Sequence, residues 1–185
     1  MVYEKLEKEM KDLPENFIVG LVVSSDKYEE TNLHLLELLV NKMGYSGSYI
    51  TINRPYENII FMLNKHNIKV DNLFFIDCIT KKIGGVEKSA PNCLFLDSPQ
   101  HLTDLGIALH EYVSLTKDTK RFLFLDSLST LFIHNDQTTM MRFIHYLTGK
   151  IRLWNISGVM ISLHEESDKK VIGEISQFCD KIIRV

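Results

Sequence analysis

Apolar residues along this chain gather into short unbroken runs, most of them closed by a polar or acidic residue. The runs are 17–23 (Phe-Ile-Val-Gly-Leu-Val-Val), 73–76 closed by Asp77, 93–96 closed by Asp97, 122–125 closed by Asp126, and 159–163 closed by His164. Runs of this length without alternation belong to strands buried on both faces of a parallel sheet. Residues 48–53 and 181–185 add a second and a last strand. Between the runs the spacing changes to three and four residues, which predicts helices. One follows 24–32 and carries Leu36, Leu39, Val40 and Met43 up to a stop at Gly44. Another follows Arg54-Pro55 with Ile59, Ile60, Met62 and Leu63, and a third covers 98–115 with Leu102, Leu105, Leu109 and Tyr112. A fourth covers 136–154 with Met140, Phe143, Ile144, Leu147, Ile151 and Trp154 inward and Asn135 or Asp136 as its N-cap, and a short one lies near 171–178. Alternating strands and helices predict an α/β domain. Ahead of it, Tyr3, Leu6 and Met10 share one side of a charged segment that Pro14 ends, so residues 1–15 read as an amphipathic helix and 16–185 as one domain.

Composition narrows the class without fixing the activity. With 185 residues, 45% hydrophobic and 24% charged, the chain has the makings of one globular domain. No apolar run reaches the roughly 18 residues of a membrane span, and the charged start is unlike a signal peptide, so a cytoplasmic protein is expected. The net charge of -3 gives no overall pull toward nucleic acid. Lys81-Lys82, Lys120-Arg121 and Lys169-Lys170 read as solvated surface pairs. Cys78, Cys93 and Cys179 are widely spaced and read as small buried residues in a reducing compartment.

The organising stretch is Arg121-Phe122-Leu123-Phe124-Leu125-Asp126-Ser127-Leu128-Ser129-Thr130-Leu131-Phe132. Open α/β sheets hold ligands at the carboxyl ends of their strands, which puts Asp126 at the rim with the hydroxyls of Ser127, Ser129 and Thr130 behind it. The order of the runs over 16–185 resembles the RecA/KaiC-like P-loop ATPases, in an archaeal-type KaiC-like variant, with 122–127 at the place of the Walker B strand. The resemblance implies a three-layer α/β fold with a mostly parallel central sheet and helices on both faces. It also implies that Asp126 would hold the magnesium's water, and that the loop after the first strand would cradle phosphates.

That loop departs from the family's pattern, Gly-x-x-x-x-Gly-Lys-Ser/Thr, whose glycines admit backbone N–H groups and whose lysine neutralises phosphate. Laid on residues 24–31, the pattern finds Ser24 and Glu29 in the glycine places and Glu30 in the lysine place; Thr31 alone survives, as the would-be magnesium hydroxyl. Like charges about 4 Å apart repel by about 4 kcal/mol at an effective dielectric near 20, and the missing lysine forfeits a similar attraction. After the second strand, Asn53 and Arg54 stand where the resemblance implies an acid to polarise water, and neither can act as a general base.

The resulting expectation is a non-hydrolysing, pseudo-ATPase member that acts as a regulatory or interaction subunit and uses no cofactor. Its partner would be a second copy or a paralogous RecA/KaiC-like ATPase. The alternative is a divergent ATPase in which Lys27, Thr31 and Asp126 hold Mg-ATP; a further one is a nucleic-acid-binding accessory akin to recombinase paralogues. Plainer readings stand beside these. Asp126 could cap the following helix, and His164, at a strand end where the resemblance implies a polar nucleotide sensor, could belong with Glu165 and Glu166 to a solvated turn. Gly44-Tyr45-Ser46-Gly47-Ser48 misses the nucleophile-elbow spacing by one residue, and no Gly-x-Gly-x-x-Gly exists.

Overall fold

The computed structural model describes residues 2–86, 90–116, 120–163 and 169–185. Seven strands, β1 (Ile18–Val23), β2 (Ser46–Thr51), β3 (Leu73–Asp77), β4 (Cys93–Phe95), β5 (Arg121–Asp126), β6 (Ser157–Leu163) and β7 (Lys181–Arg184), form one sheet in the order β4-β3-β2-β5-β6-β1-β7. Every pairing between them is parallel. The helices are α1 (Val2–Lys11), α2 (Tyr28–Leu36), which runs on as a π-helical turn over Glu37–Lys42, α3 (Tyr56–Lys65), α4 (Leu102–Leu115), α5 (Leu128–His134), α6 (Gln137–Leu153) and α7 (Lys169–Ser176). Among the described residues no helix is long and apolar enough to cross a membrane.

The unbroken apolar runs serve two cores at once. Val19, Leu21, Tyr49, Phe75, Phe122, Phe124 and Val159 point into a first core with α1, α2 and α3. Their strand neighbours Ile18, Ile50, Ile76, Leu123, Leu125 and Met160 point into a second core with α4, α5, α6 and α7. This is the period-two alternation of a strand, hidden in the sequence because both faces are dry. From β1 the chain steps through β2 to β3 and β4 on one side, then returns through α4 to β5 and onward to β6 and β7. Right-handed crossovers put connections of opposite direction on opposite faces. The neighbours β2 and β5 therefore send their chains away on different faces, and a crevice forms at their carboxyl ends.

α1 is anchored as well as packed. Leu6 and Met10 are buried in the first core. Glu7 accepts hydrogen bonds from Lys42 at 2.7 Å and Lys11 at 3.4 Å and faces His34 at 3.2 Å, while Glu9 pairs with Lys181 at 3.3 Å. The hydrogen bond from Lys42 holds the Glu7 carboxyl below its usual range.

Several element boundaries differ from the sequence expectation by a few residues, and two of them bear on the sheet. β2 starts at Ser46, before the apolar residues begin, because Ser46 N–H donates to the Lys120 carbonyl and Gly47 pairs in register with Phe122. Gly47 is needed there: a Cβ on it would lie 2.4 Å from the Phe122 ring. β4 ends at Phe95, short of Asp97. At the other caps the expectation stands, since Gly44 closes the α2 extension with φ of 70° and Asp136 caps α6 by accepting from Thr139 N–H at 3.0 Å.

Gly47→Ala should cost about 1–3 kcal/mol in chemical denaturation, because the buried ring has nowhere to go. Gly20→Ala should cost less, although its Cβ would lie 2.5 Å from Ile182 Cδ1, since that is the end of a side chain able to rotate. Equal costs would show that ring rigidity is not what excludes the methyl group.

Candidate functional site

Asp126 ends β5 level with Thr51 of β2, which is in turn level with Asp77 of β3. Two acids thus stand at one sheet edge, and they are satisfied differently. Asp77 accepts from the backbone N–H groups of Tyr56, Ile79 and Thr80 at 2.7–2.8 Å and from the Thr80 hydroxyl. It thereby fixes the start of α3 and the turn after β3. Asp126 shares the face of Phe122 and Phe124, and side chains from distant elements satisfy it. Tyr28, the first residue of α2, donates its hydroxyl to Oδ1, and Tyr49 of β2 donates to Oδ2. Asp126 is left only 2% exposed.

The contacts continue on both sides. Asn53 Nδ2 donates to Tyr28 Oη at 2.8 Å and to Ser127 Oγ at 3.4 Å, and Ser127 Oγ lies 3.2 Å from Thr130 Oγ1. The Tyr49 ring stacks on Phe124, with centroids 5.2 Å apart and planes 12° from parallel. Burial pushes the Tyr49 phenol well above its ordinary range, against the opposing influence of Arg54 and the Asn32 side chain, so it stays protonated and able to donate. Burial also raises the Asp126 carboxyl to about 8. The two phenol donors favour its ionised form and work against that burial.

Residues 24–27 form a tight turn, with Lys27 N–H donating to the Ser24 carbonyl at 3.0 Å, and no residue from 24 to 32 has a positive φ. Glu29 and Glu30 lie exposed in the first turn of α2, where the helix dipole favours anions. Glu29 pairs with Arg54 at 2.7 Å.

The expected site residues separate as follows. Lys27 stands just before α2, and its side chain makes no capping hydrogen bond to it. Thr31 is buried, with its hydroxyl beside that of Tyr3 on α1. Asp126 is met by Tyr28 and Tyr49. It does not cap the following helix, as the plainer reading had it; Ser127 does, accepting from Thr130 N–H. Asp97 is exposed and pairs with Lys81 at 3.1 Å. His164 lies outside the described residues. Among the described residues no group of three His, Cys, Asp or Glu side chains is placed to hold a metal.

Sequence reasoning missed Tyr28, Tyr49 and Asn32 as parts of the cluster. Tyr49 carried a signal: a tyrosine inside a strand buried on both faces must find a partner for its hydroxyl, and an acid at the end of a neighbouring strand is one. Tyr28, within a polar loop, carried none.

With sheet order, helical layers and rim geometry in view, the fold is RecA/KaiC-like, and solved structures agree. The chain is similar to the KaiC-like protein PH0186 of the hyperthermophilic archaeon Pyrococcus horikoshii OT3, with a TM-score of 0.67 at 10% identity over 93% of this chain and 72% of that one. It is also similar to the uncharacterized protein PH0321 of Pyrococcus horikoshii in complex with an unknown peptide, with a TM-score of 0.66 at 15% identity over 98% and 82%. A third, PH0250 of Pyrococcus horikoshii OT3, gives 0.66 at 15% identity over 100% and 88%. No curated protein sequence matches the chain. Residues 70–185 match a family of unknown function, DUF7504, and the chain belongs to it.

A carboxyl that titrates near 8 when folded and near 3.8 when unfolded binds its proton more tightly in the native state. Its contribution to stability is full below the unfolded value and is lost as pH rises between the two, by up to about 1.4 kcal/mol per pH unit. Asp126→Asn should therefore flatten the fall in stability between pH 5 and pH 8, measured by urea denaturation. Parallel pH profiles for variant and parent would show that Asp126 does not titrate in this window.

Proposed function

We propose that this protein is a non-hydrolysing RecA/KaiC-like protein that works as a regulatory or interaction subunit. The observation that carries this reading is the capping of Asp126: both carboxylate oxygens accept tyrosine hydroxyls, and one of those tyrosines belongs to the segment that would have to wrap a phosphate. With each oxygen of the Asp126 side chain already accepting a phenol hydroxyl and only 2% of the residue exposed, little of it is open to a magnesium-bound water. Three further features support the reading. Glu29 and Glu30 put negative charge at the start of α2, the turn before it lacks the positive φ from which backbone anion nests are built, and Asn53 hydrogen-bonds to Tyr28 where an active site would need a base.

The residues present therefore do not fit Mg-ATP. Lys27 could supply charge to a phosphate, but Thr31 is buried beside Tyr3, so the set of Lys27, Thr31 and Asp126 does not converge on one ligand. The role left to such a fold is contact with another protein, a second copy or a paralogous RecA/KaiC-like ATPase. That a fold neighbour holds a peptide agrees with this role.

Titration of the full chain with a fluorescent ATP analogue and magnesium should show no saturable binding below the millimolar range. Micromolar binding that Asp126→Ala abolishes would overturn the proposal in favour of a divergent ATPase.

A further inference from the structure

The face of the sheet opposite the Asp126 cluster carries a feature that cluster does not use. α4 and α6 leave between their outer surfaces a groove of about 580 Å³. Gly106 and the mostly buried Phe143 line its floor, where a Cβ at 106 would make ordinary contact with the Tyr146 ring at 3.4 Å. Its walls are apolar yet open to solvent: Ile107 is 53% exposed and Tyr146 46%. The rim is cationic. Arg142 and Lys150 belong to the lining, with the Lys150 ammonium 5.6 Å from the centre of the Tyr146 ring, and His110 lies beside Trp154.

No lining residue carries a carboxylate, although the chain as a whole has a net charge of -3 and the exposed Asp104 and Glu111 stand one turn to either side of Ile107 on α4. An open groove with an aliphatic and an aromatic wall and an arginine at its rim has the composition of a protein-docking site. Its charge selects an acidic occupant. The 14 residues of α4 run for roughly 21 Å, enough to lie along three to four turns of a helix. The chain's own charged amphipathic helix, α1, does not supply that occupant, because Leu6 and Met10 are already buried in the first core.

We infer that the groove between α4 and α6 receives an acidic amphipathic helix from a partner protein. Apolar side chains at three- and four-residue steps seat against Ile107 and Tyr146, and carboxylates meet Arg142 and Lys150. This deepens the interaction-subunit reading by naming the surface and the chemistry of the partner, and it rests on that reading.

The test is selection of 16-residue peptides from a displayed random library on the full chain, followed by affinity measurement with the synthetic peptides. The expected winners combine Asp and Glu with apolar residues at helical spacing and weaken as salt rises. They should lose at least tenfold in affinity to Ile107→Glu, to Tyr146→Ala and to the double change Arg142→Glu with Lys150→Glu, and none to Phe61→Glu on α3. All of these positions are on the surface, and unchanged thermal midpoints would establish that each variant is folded. Absence of enrichment, enrichment of non-acidic peptides, or affinity indifferent to Ile107→Glu overturns the inference. So does self-association in light scattering that Ile107→Glu abolishes, which would give the groove to a second copy. Nucleotide titration reads the Asp126 site and not the groove, so failure of the groove inference is distinguishable from failure of the interaction-subunit reading.

Discussion

A carboxylate cannot be buried at the edge of a sheet unless its oxygens are satisfied, and the arrangement around Asp126 follows from that constraint. The two donors come from elements far apart in sequence, Tyr28 at the start of α2 and Tyr49 within β2, and both reach one side chain at the end of β5. The start of α2 is thereby fixed to the sheet. A shift of α2 along its axis would break the bond from Tyr28 and strand a buried acceptor, at about 1–3 kcal/mol. Asn53 and Ser127 extend the constraint to the turns after β2 and β5, so four segments share one polar network.

Asp77 shows what the same residue type does with other neighbours. It sits level with Asp126 across β2, yet its partners are mostly backbone N–H groups of its own turn and of the start of α3. A carboxylate held this way organises local backbone and would do so in any strand-to-helix connection. Asp126, held by side chains from distant elements, depends on the whole layer being assembled. The difference lies in what adjoins each strand end: a tight turn with free amides in one case, two tyrosines in the other.

Much of the architecture was legible because the physics that sets it is local. Apolar runs closed by Asp77 and Asp126 marked strands and their carboxyl ends, and the three- and four-residue spacing of Leu105, Leu109 and Tyr112 marked a helix that packs on the sheet. The division of each run between two cores was not legible, since alternation vanishes when both faces are apolar. The start of β2 was obscured because Ser46 and Gly47 look like turn residues; the Phe122 ring that demands a glycine is contributed by another strand. Asp126 was found at the rim, but its partners were not, because a hydroxyl from residue 28 meets it only after the parallel sheet has brought β1, β2 and β5 to one edge. Lys27 was weighed for its charge, while the neighbouring phenol makes the contact.

The two faces of the sheet have been closed by unequal means. On the first, α1 adds a further layer, and its carboxylates pair with Lys42 and Lys181 across element boundaries, although Phe61 of α3 stays 73% exposed. On the second, α4 and α6 are the outermost layer, and Ile107, Tyr146 and Leu153 remain exposed although each helix has already buried a full apolar side against the sheet. Burial of the core does not require these residues, since Leu105, Leu109, Phe143, Ile144 and Leu147 accomplish it. A helix needs only one apolar side to be held in place, and a second, with Arg142 and Lys150 beside it in the groove, has its physical use in contact with another surface.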